Sequence, residues 1–289
     1  MTTHTLRKPE VDLVYDVLGP LPTADGRPPL LMVGQPMCAD GFGDLASHFP
    51  DRTVVTYDPR GLGRSVRKDG RSDNNPEVQA GDLHDLIAEL GAGAVEIFAS
   101  SGGAVTSLAL VTAHPEDVTT LVAHEPPLFE LLPDAAAHEH ARAAVRDAYQ
   151  AKGSGAGMAA FIVWSSAQGE ITDELFAQGT PDPAMFGMPG EDDGTRDDPL
   201  LSELSWAVTD YRPDAAALTA APTRIVIGVG EESTGVLTGR TSIATAALLG
   251  AEPVVFPSHH GGFVGGDNPY AGKPAEFAQR LHAVLDGGK

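Results

Sequence analysis

The chain has 289 residues, of which 42% are hydrophobic, and 40 acidic against 19 basic side chains give it a formal net charge of −21. It lacks the cluster of basic residues that binds phosphate, so nucleic acid and anionic membrane surfaces are poor partners. The single cysteine, Cys38, excludes an internal disulfide and a cysteine-based zinc site, and we expect it to be a small buried hydrophobic residue. Because no apolar run is long enough to span a membrane and the first ten residues are polar, we expect a soluble, cytoplasmic protein. The sequence carries no signal for the oligomeric state.

Short apolar runs alternate with segments of helical periodicity along most of the chain. The predicted strands are 11–17, 30–33, 53–57, 95–99, 121–124, 224–229 and 253–256. The segment 76–90 is a typical intervening helix, with Pro76 suited to the first helical position and Gly91 to the residue just past the end. This alternation predicts an α/β fold in which helices cover both faces of a mostly parallel central sheet.

The alternation stops between residues 128 and 221, where only helical periodicity remains. The predicted helices there are 135–151, 158–166, 171–177 and 200–211. We interpret 128–221 as a helical cap inserted into a core domain formed by 1–127 and 222–289. Within it, residues 178–199 are rich in Gly, Pro and Asp, and we expect a mobile loop. The acidic run 191–198 lacks the spacing of a calcium-binding loop, and no metal site is predicted.

A nucleophile elbow is predicted at residues 99–103, with the sequence Ala-Ser-Ser-Gly-Gly. The segment follows an apolar strand and precedes a helix, as the pattern small-x-Ser-x-Gly requires. The residues two before and two after the serine must be small, because the strand and helix backbones pass close to each other. With Ser101 as the nucleophile these residues are Ala99 and Gly103, whereas Ser100 would place Phe98 in a position that needs a small residue.

Three further motifs occur in the order that one known family shows. Residues 57–65, YDPRGLGRS, resemble its D-x-R-G-x-G-x-S turn, and residues 33–36, VGQP, are similar to its H-G-x-P motif with Val33 in place of His. Residues 258–261, SHHG, resemble its catalytic-histidine loop. Together these motifs make nearly the whole chain resemble the α/β-hydrolase superfamily, in its branch with a serine nucleophile and a helical cap. The resemblance implies the α/β-hydrolase fold, with a mostly parallel sheet and a cap insertion.

The resemblance also implies a catalytic triad. His260 is the expected base, because two glycines follow it in the loop after the last predicted strand, and His259 is the alternative. For the acid, Glu125 stands at a strand end 24 residues after Ser101, the place used in the haloalkane-dehalogenase branch. The alternative acid is Glu231, because the more common position for an Asp holds Ser233 in this sequence.

The remaining expected site residues come from backbone donors and from the cap. Two backbone N–H groups should form the oxyanion hole, and we expect them from Gly102 and Gln35, with Met37 as the second choice because Pro36 has no N–H. Apolar residues predicted to line the substrate pocket are Met37, Trp164, Phe186 and Trp206. Helical spacing predicts that most apolar cap residues pack inside the cap first.

The resemblance implies a cofactor-free serine hydrolase that cleaves an ester, thioester or lactone of a small apolar molecule through an acyl-enzyme. The same triad would also serve carbon–carbon bond hydrolysis, perhydrolase-type haloperoxidation or a biosynthetic cyclisation. A binding homologue without catalysis is disfavoured, because such a protein needs neither Ser101 nor His260. Dehalogenase and epoxide-hydrolase chemistry is disfavoured because those relatives need a carboxylate in place of Ser101.

Overall fold

The computed structural model describes residues 1–24, 26–192, 194–267 and 270–288. In this part of the chain nine strands form one sheet of order β1-β2-β4-β3-β6-β7-β8-β9, with β5 paired to β2. The strands are β1 Thr2–Arg7, β2 Val11–Leu18, β3 Leu30–Val33, β4 Val54–Tyr57, β5 Val66–Arg67, β6 Val95–Ser100, β7 Val118–His124, β8 Arg224–Gly230 and β9 Val254–Phe256. From β4 to β9 all neighbouring strands are parallel, and β1 and β2 add antiparallel pairs at one edge. The predicted α/β class is confirmed.

Helices cover both faces of the sheet. They are α1 Gly43–Ser47, α2 Pro76–Leu90, α3 Gly102–Ala113, α4 Ala135–Lys152, α5 Ser154–Ser166, α6 Trp206–Thr209, α7 Ala215–Ala220, α8 Leu237–Leu248 and α9 Pro274–Leu285. Successive residues of β3 point to opposite faces: Leu31 packs in the cluster that contains α2 and α3, and Met32 packs in the cluster that contains α1 and α9. Because both faces of β3 are buried, the strand is continuously apolar.

The predicted limits of α2 are confirmed, and its ends show why. The Asn75 side chain accepts hydrogen bonds from the N–H groups of Glu77 and Val78, and Pro76 occupies the first helical position. Gly91 ends the helix in the left-handed region with φ 62°. These are the capping interactions that the two helix ends need, because their backbone groups lack partners inside the helix.

The antiparallel edge was not predicted from the sequence. Strand β1 has exposed side chains along nearly its whole length, and β5 has only two residues. Alternating apolar residues indicate a strand only where one of its faces is buried. Strand β1 instead pairs with β2 through backbone hydrogen bonds from Thr2 to Arg7. The pattern therefore carried no signal for these two strands.

Two predicted cap helices are wrong. Of 171–177 only a 3₁₀ turn forms, Asp173–Phe176, and of 200–211 only the short α6 is α-helical. In the second segment Asp198 caps the N–H groups of Leu200 and Leu201, and the Ser202 side chain accepts from the Leu204 N–H. These polar side chains divide the segment into separate turns. Residue 193, in the segment predicted to be mobile, lies outside the described residues, and the mobility of that segment stays a prediction.

The insertion centres on α4 and α5, which pack against each other. Their apolar cluster is separate from the two clusters on the sheet and includes Phe129, Tyr149, Trp164 and Leu201. Leu237 at the start of α8 joins this cluster and so connects it to the sheet domain. In the described parts of the chain, no helix has both the length and the apolar character needed to cross a membrane.

Helix α3 approaches the end of β3 so closely that Gly103 has no room for a side chain. A Cβ atom at Gly103 would lie 2.3 Å from the Val33 carbonyl oxygen, which is a backbone atom. By contrast, a Cβ at Gly81, inside α2, would meet no atom within 4 Å. The small residue expected two positions after Ser101 therefore has a direct steric reason.

We expect Gly103→Ala to lower the free energy of unfolding by about 1–3 kcal/mol, because the new methyl group forces the two backbones apart. The matched control Gly81→Ala should leave stability unchanged or raise it by up to about 1 kcal/mol, since alanine is the better helix former. Urea unfolding followed by tryptophan fluorescence measures both values. Equal unfolding midpoints for the two variants would show that the close approach is not rigid.

Candidate active site

Ser101 lies in a tight turn between the end of β6 at Ser100 and the start of α3 at Gly102. Its φ of 58° and ψ of −130° cost a non-glycine residue on the order of 1–3 kcal/mol. The Ser101 N–H donates to the His124 carbonyl at 2.9 Å, which holds the turn against the end of β7. Ser100 is buried in β6, with its hydroxyl 3.3 Å from Nδ1 of His124. Of the two serines, Ser101 is therefore the one in the strained turn at the N-terminus of α3.

Glu125 directly follows β7, and its side chain is completely buried. Oε1 accepts from the Gly230 N–H at 2.8 Å, and Oε2 accepts from the Thr238 hydroxyl at 2.5 Å. Oε2 also lies 2.7 Å from Nδ1 of His260. A buried carboxylate is no longer hydrated and needs such hydrogen-bond donors. Together the three donors fix the orientation of the Glu125 carboxylate.

The environment of Glu125 keeps its carboxylate ionised. Burial alone raises the pKa of this carboxyl group, but the hydrogen bond and charge of His260 and the hydrogen bond from Thr238 act in the opposite direction. The net result is a pKa well below the ordinary range of glutamate. An ionised carboxylate beside an imidazole holds its tautomer and stabilises its protonated form.

The two alternatives from the sequence, Glu231 and His259, lie elsewhere. Glu231 is half exposed; it accepts from the Ser258 N–H at 3.1 Å and pairs with Lys273 at 3.4 Å. Nδ1 of His259 accepts from the Gly261 N–H at 3.1 Å. Glu231 therefore supports the backbone of the histidine loop. In this part of the structure it is Glu125, and not Glu231, that contacts the imidazole of His260.

Backbone strain is concentrated around these residues. Across the residues that the structure describes, three that are not glycine have a positive φ: Ser101 at 58°, Glu125 at 50° and Ser258 at 69°. Ser258 lies two residues before His260. Strained backbone persists only where the surroundings fix it, and it clusters at functional sites. The candidate nucleophile, acid and histidine loop thus share one unusual backbone property.

The two expected oxyanion donors lie next to each other. The Gly102 N–H donates to the Gln35 carbonyl at 3.2 Å, and a Cβ atom on Gly102 would lie only 2.9 Å from that oxygen. The Gln35 side chain is 3% exposed, and neither its amide nitrogen nor its amide oxygen has a partner within the described structure. Buried polar groups without partners are rare and often mark a place where a ligand binds.

Comparison with known proteins shows what the chain is similar to. A family model described as the alpha/beta hydrolase fold matches residues 30–155. Over 288 residues the chain is 29% identical to the "Uncharacterized hydrolase YraK" of Bacillus subtilis, covering 99% of this chain and 96% of that protein. It is 32% identical over 100 residues to a proline iminopeptidase of Xylella fastidiosa, covering 34% of this chain and 31% of that protein.

Solved structures extend the likeness to the whole fold. An esterase of Thermogutta terrifontis superposes with a TM-score of 0.63 at 17% identity, covering 99% of this chain and 98% of that one. A hydrolase of Pseudomonas aeruginosa gives 0.65 at 18% identity and covers 98% of both chains. The chain has the α/β-hydrolase fold.

In this α/β-hydrolase fold the two tryptophans predicted to line the pocket have other contacts. Trp164 is 5% exposed, and its Nε1–H donates to Nδ1 of His138 at 2.9 Å inside the cap. The guanidinium groups of Arg142 and Arg146 lie 4.3 and 5.1 Å from the ring centre of Trp206. Both rings therefore contribute to the packing of the helical insertion, and a role against substrate stays a prediction for each.

The other two predicted pocket residues are Met37 and Phe186. Phe186 ends a 3₁₀ turn, Pro183–Phe186, and is half buried. Met37 lines a cavity of about 680 Å³ together with Cys38, Asp58 and Arg64. This cavity is not lined by Ser101, Glu125 or His260. The candidate active site is therefore defined by the geometry of its side chains and not by this cavity.

Cys38, which the sequence predicts to be buried, is only half buried in the structure. Burial and the charges of Asp58 and Asp40 raise the pKa of its thiol to about 11. The thiol is therefore protonated at neutral pH and is a poor nucleophile, because the thiolate is the reactive form.

A fully buried histidine, His124, lies beside His260 of the candidate triad. His124 is 0% exposed, and its ring stacks on that of His260 with 6.2 Å between ring centres. Its Nε2 has no partner within the described structure, and its aromatic neighbours are Phe98, Phe256, Phe263 and Phe277. Burial is the main reason why the pKa of His124 falls to about 4; His260 also lowers it, and Glu125 opposes the change.

Thr238 and His124 are the two site residues that sequence reasoning missed. Thr238 lies at the start of α8 and reaches Glu125 across 113 residues of chain, with no local motif to mark it. His124 did carry a signal, because it ends an apolar strand directly before Glu125. A histidine at the last position of a buried strand predicts a neutral buried imidazole.

We expect His124 to make the protein less stable in acid. The folded pKa of about 4 lies below the ordinary value of 6.5, so the unfolded chain binds the extra proton and stability falls as the pH drops from 6.5 towards 4. Between pH 7 and pH 5 this contribution is about 2 kcal/mol. Urea unfolding measures the decrease in the free energy of unfolding between pH 7 and pH 5, and this decrease should be smaller by that amount in His124→Gln. The same pH dependence in both proteins would contradict a neutral buried His124.

Proposed function

We propose that this α/β hydrolase is a cofactor-free serine hydrolase that cleaves carboxylic esters, thioesters or lactones through an acyl-enzyme. The observation that carries the proposal is the contact of Glu125 Oε2 with Nδ1 of His260 at 2.7 Å. The strained elbow at Ser101 is held to the residue before Glu125, because the Ser101 N–H donates to the His124 carbonyl at 2.9 Å. A nucleophile, a base and an orienting acid are the three parts that this chemistry requires.

In the proposed acylation step, Ser101 Oγ attacks the carbonyl carbon of the substrate, and Nε2 of His260 takes the serine proton. The imidazole becomes positively charged, and the ionised Glu125 stabilises it from the other ring nitrogen. The same proton then passes to the leaving alcohol or thiol as the carbon–oxygen or carbon–sulfur bond breaks. The acyl group remains on Ser101.

Deacylation repeats the step with water as the nucleophile. His260 accepts a proton from the water that attacks the acyl carbon, and then returns it to Ser101 Oγ as the acid product leaves. Glu125 stays ionised throughout, because its role is to orient and stabilise the imidazole. The cycle consumes one water and restores every group.

The N–H groups of Gly102 and Gln35 are the proposed donors to the oxyanion in both steps. Gly102 now donates to the Gln35 carbonyl at 3.2 Å, near the long end of the range for such bonds. An oxyanion accepts more strongly than a neutral carbonyl, so the donor would exchange its partner as negative charge develops.

We propose a small, uncharged, apolar carbonyl compound as substrate. The formal charge of −21 works against the approach of anions. The insertion 128–221, built around the apolar packing of α4 and α5, is the proposed cap over the site. The esterase of Thermogutta terrifontis shares the fold, and this supports an ester as the first substrate to test.

We expect Ser101→Ala to lower the turnover of a short p-nitrophenyl ester by at least about 1000-fold, because no other group replaces the nucleophile. Ser100→Ala is the matched control: it removes a hydroxyl one residue away and should keep most of the activity. A fluorophosphonate should label Ser101, as read by mass spectrometry. Loss of activity in Ser100→Ala with normal turnover in Ser101→Ala would reverse the assignment.

A second pair of variants separates the two carboxylates. Glu125→Gln should reduce turnover by about 10⁴-fold, since the amide cannot stabilise the charged imidazole and favours the wrong tautomer. Glu231→Gln should keep most of the activity, because an amide oxygen can still accept from the Ser258 N–H. Turnover of one activated ester measures both, with circular dichroism as the folding control. A crippled Glu231→Gln beside an active Glu125→Gln would identify Glu231 as the acid.

A further inference from the structure

A cluster of metal-ligating side chains lies at the end of α3 that is remote from Ser101. His84 projects from α2, His114 is the residue just past α3, and Asp117 belongs to the 3₁₀ turn that follows. Each offers one ligand atom, and these three atoms all lie within 4.8 Å of one another. Three segments of the chain thus bring two imidazoles and a carboxylate to one point.

The side chains in this cluster are already ordered towards one another. Nδ1 of His84 lies 2.7 Å from Oδ2 of Asp117, and the two imidazole rings stack with centres 3.8 Å apart and an angle of 13°. The His84, His114 and Asp117 side chains are 36%, 32% and 13% exposed. The two imidazoles are therefore accessible to a solvated ion.

The donor set indicates the class of ion. Imidazole nitrogen with one carboxylate oxygen suits zinc and its first-row neighbours, whereas calcium and magnesium prefer oxygen ligands. Zinc needs its ligands at about 2.0–2.2 Å, so the half-exposed rings must turn inward to close the site. Glu116, whose carboxylate lies 3.7 Å from Nδ1 of His114, or a water molecule can supply the fourth ligand.

We propose that His84, His114 and Asp117 bind one divalent transition-metal ion, with zinc as the probe. The ion takes the place of the direct contact between His84 Nδ1 and Asp117 Oδ2. Helix α3 has 12 residues and spans about 18 Å, which separates this site from Ser101. The metal therefore ties α2, the end of α3 and the turn before β7 together as a structural link.

Calorimetric titration of the whole chain with zinc chloride tests the proposal. We expect one zinc per chain, and a rise in melting temperature of about 5 °C at a free zinc concentration 100 times the dissociation constant. His84→Ala and His114→Ala should each weaken binding at least tenfold and abolish the thermal shift. Asp117→Asn, which keeps the shape of the side chain, should do the same if the variant proteins are folded by circular dichroism.

His140→Ala is the matched control, because His140 and Asp173 form another pair at 2.7 Å, which no second histidine joins as a ligand group among the residues that the structure describes. This variant should bind zinc and gain thermal stability as the wild type does. Zinc binding that survives in both His84→Ala and His114→Ala, or that disappears in His140→Ala, would overturn the assignment. A wild-type chain that binds no zinc at micromolar concentration would overturn it as well.

Discussion

The buried Glu125 carboxylate, which receives hydrogen bonds on both oxygens, is the constraint on which the candidate site depends. Its partners come from the end of β8 at Gly230, the start of α8 at Thr238 and the loop after β9 at His260. Gly230 must remain a glycine, since a Cβ there would lie 2.6 Å from the Ser258 carbonyl oxygen and 3.1 Å from Glu125 Oε1. One side chain thus fixes three separate parts of the chain relative to each other.

The parallel sheet explains why these parts meet. Strands β6, β7, β8 and β9 are neighbours, and their carboxyl ends lie at the same edge. Ser101, Glu125, Gly230 and His260 all stand at or just beyond these ends, where open α/β sheets place their ligands. The cluster around His84 lies at the other end of α3, where a bound ion would stabilise the fold and not contact the reacting groups.

Sequence patterns predicted those features that depend on neighbouring residues in the chain. The steric demand of the elbow selected Ser101 and Gly103, and capping residues located α2, because the cause lies within a few residues of the effect. The choice between Glu125 and Glu231 stayed open in the sequence, since it depends on which carboxylate contacts the His260 ring, and Glu125 makes that contact across 135 residues of chain. Thr238 and the polar strand β1 could not be found, because a long-range hydrogen bond and a backbone ladder leave no apolar pattern.

The most direct test of the account is the tautomer of His260, measured by NMR on protein with ¹⁵N-labelled histidine and assigned with His260→Ala. For the neutral form of the imidazole, the account predicts a proton on Nδ1, strongly deshielded by its hydrogen bond to Glu125, and an unprotonated Nε2 available to accept from Ser101. A proton found on Nε2, with Nδ1 unprotonated, would contradict it.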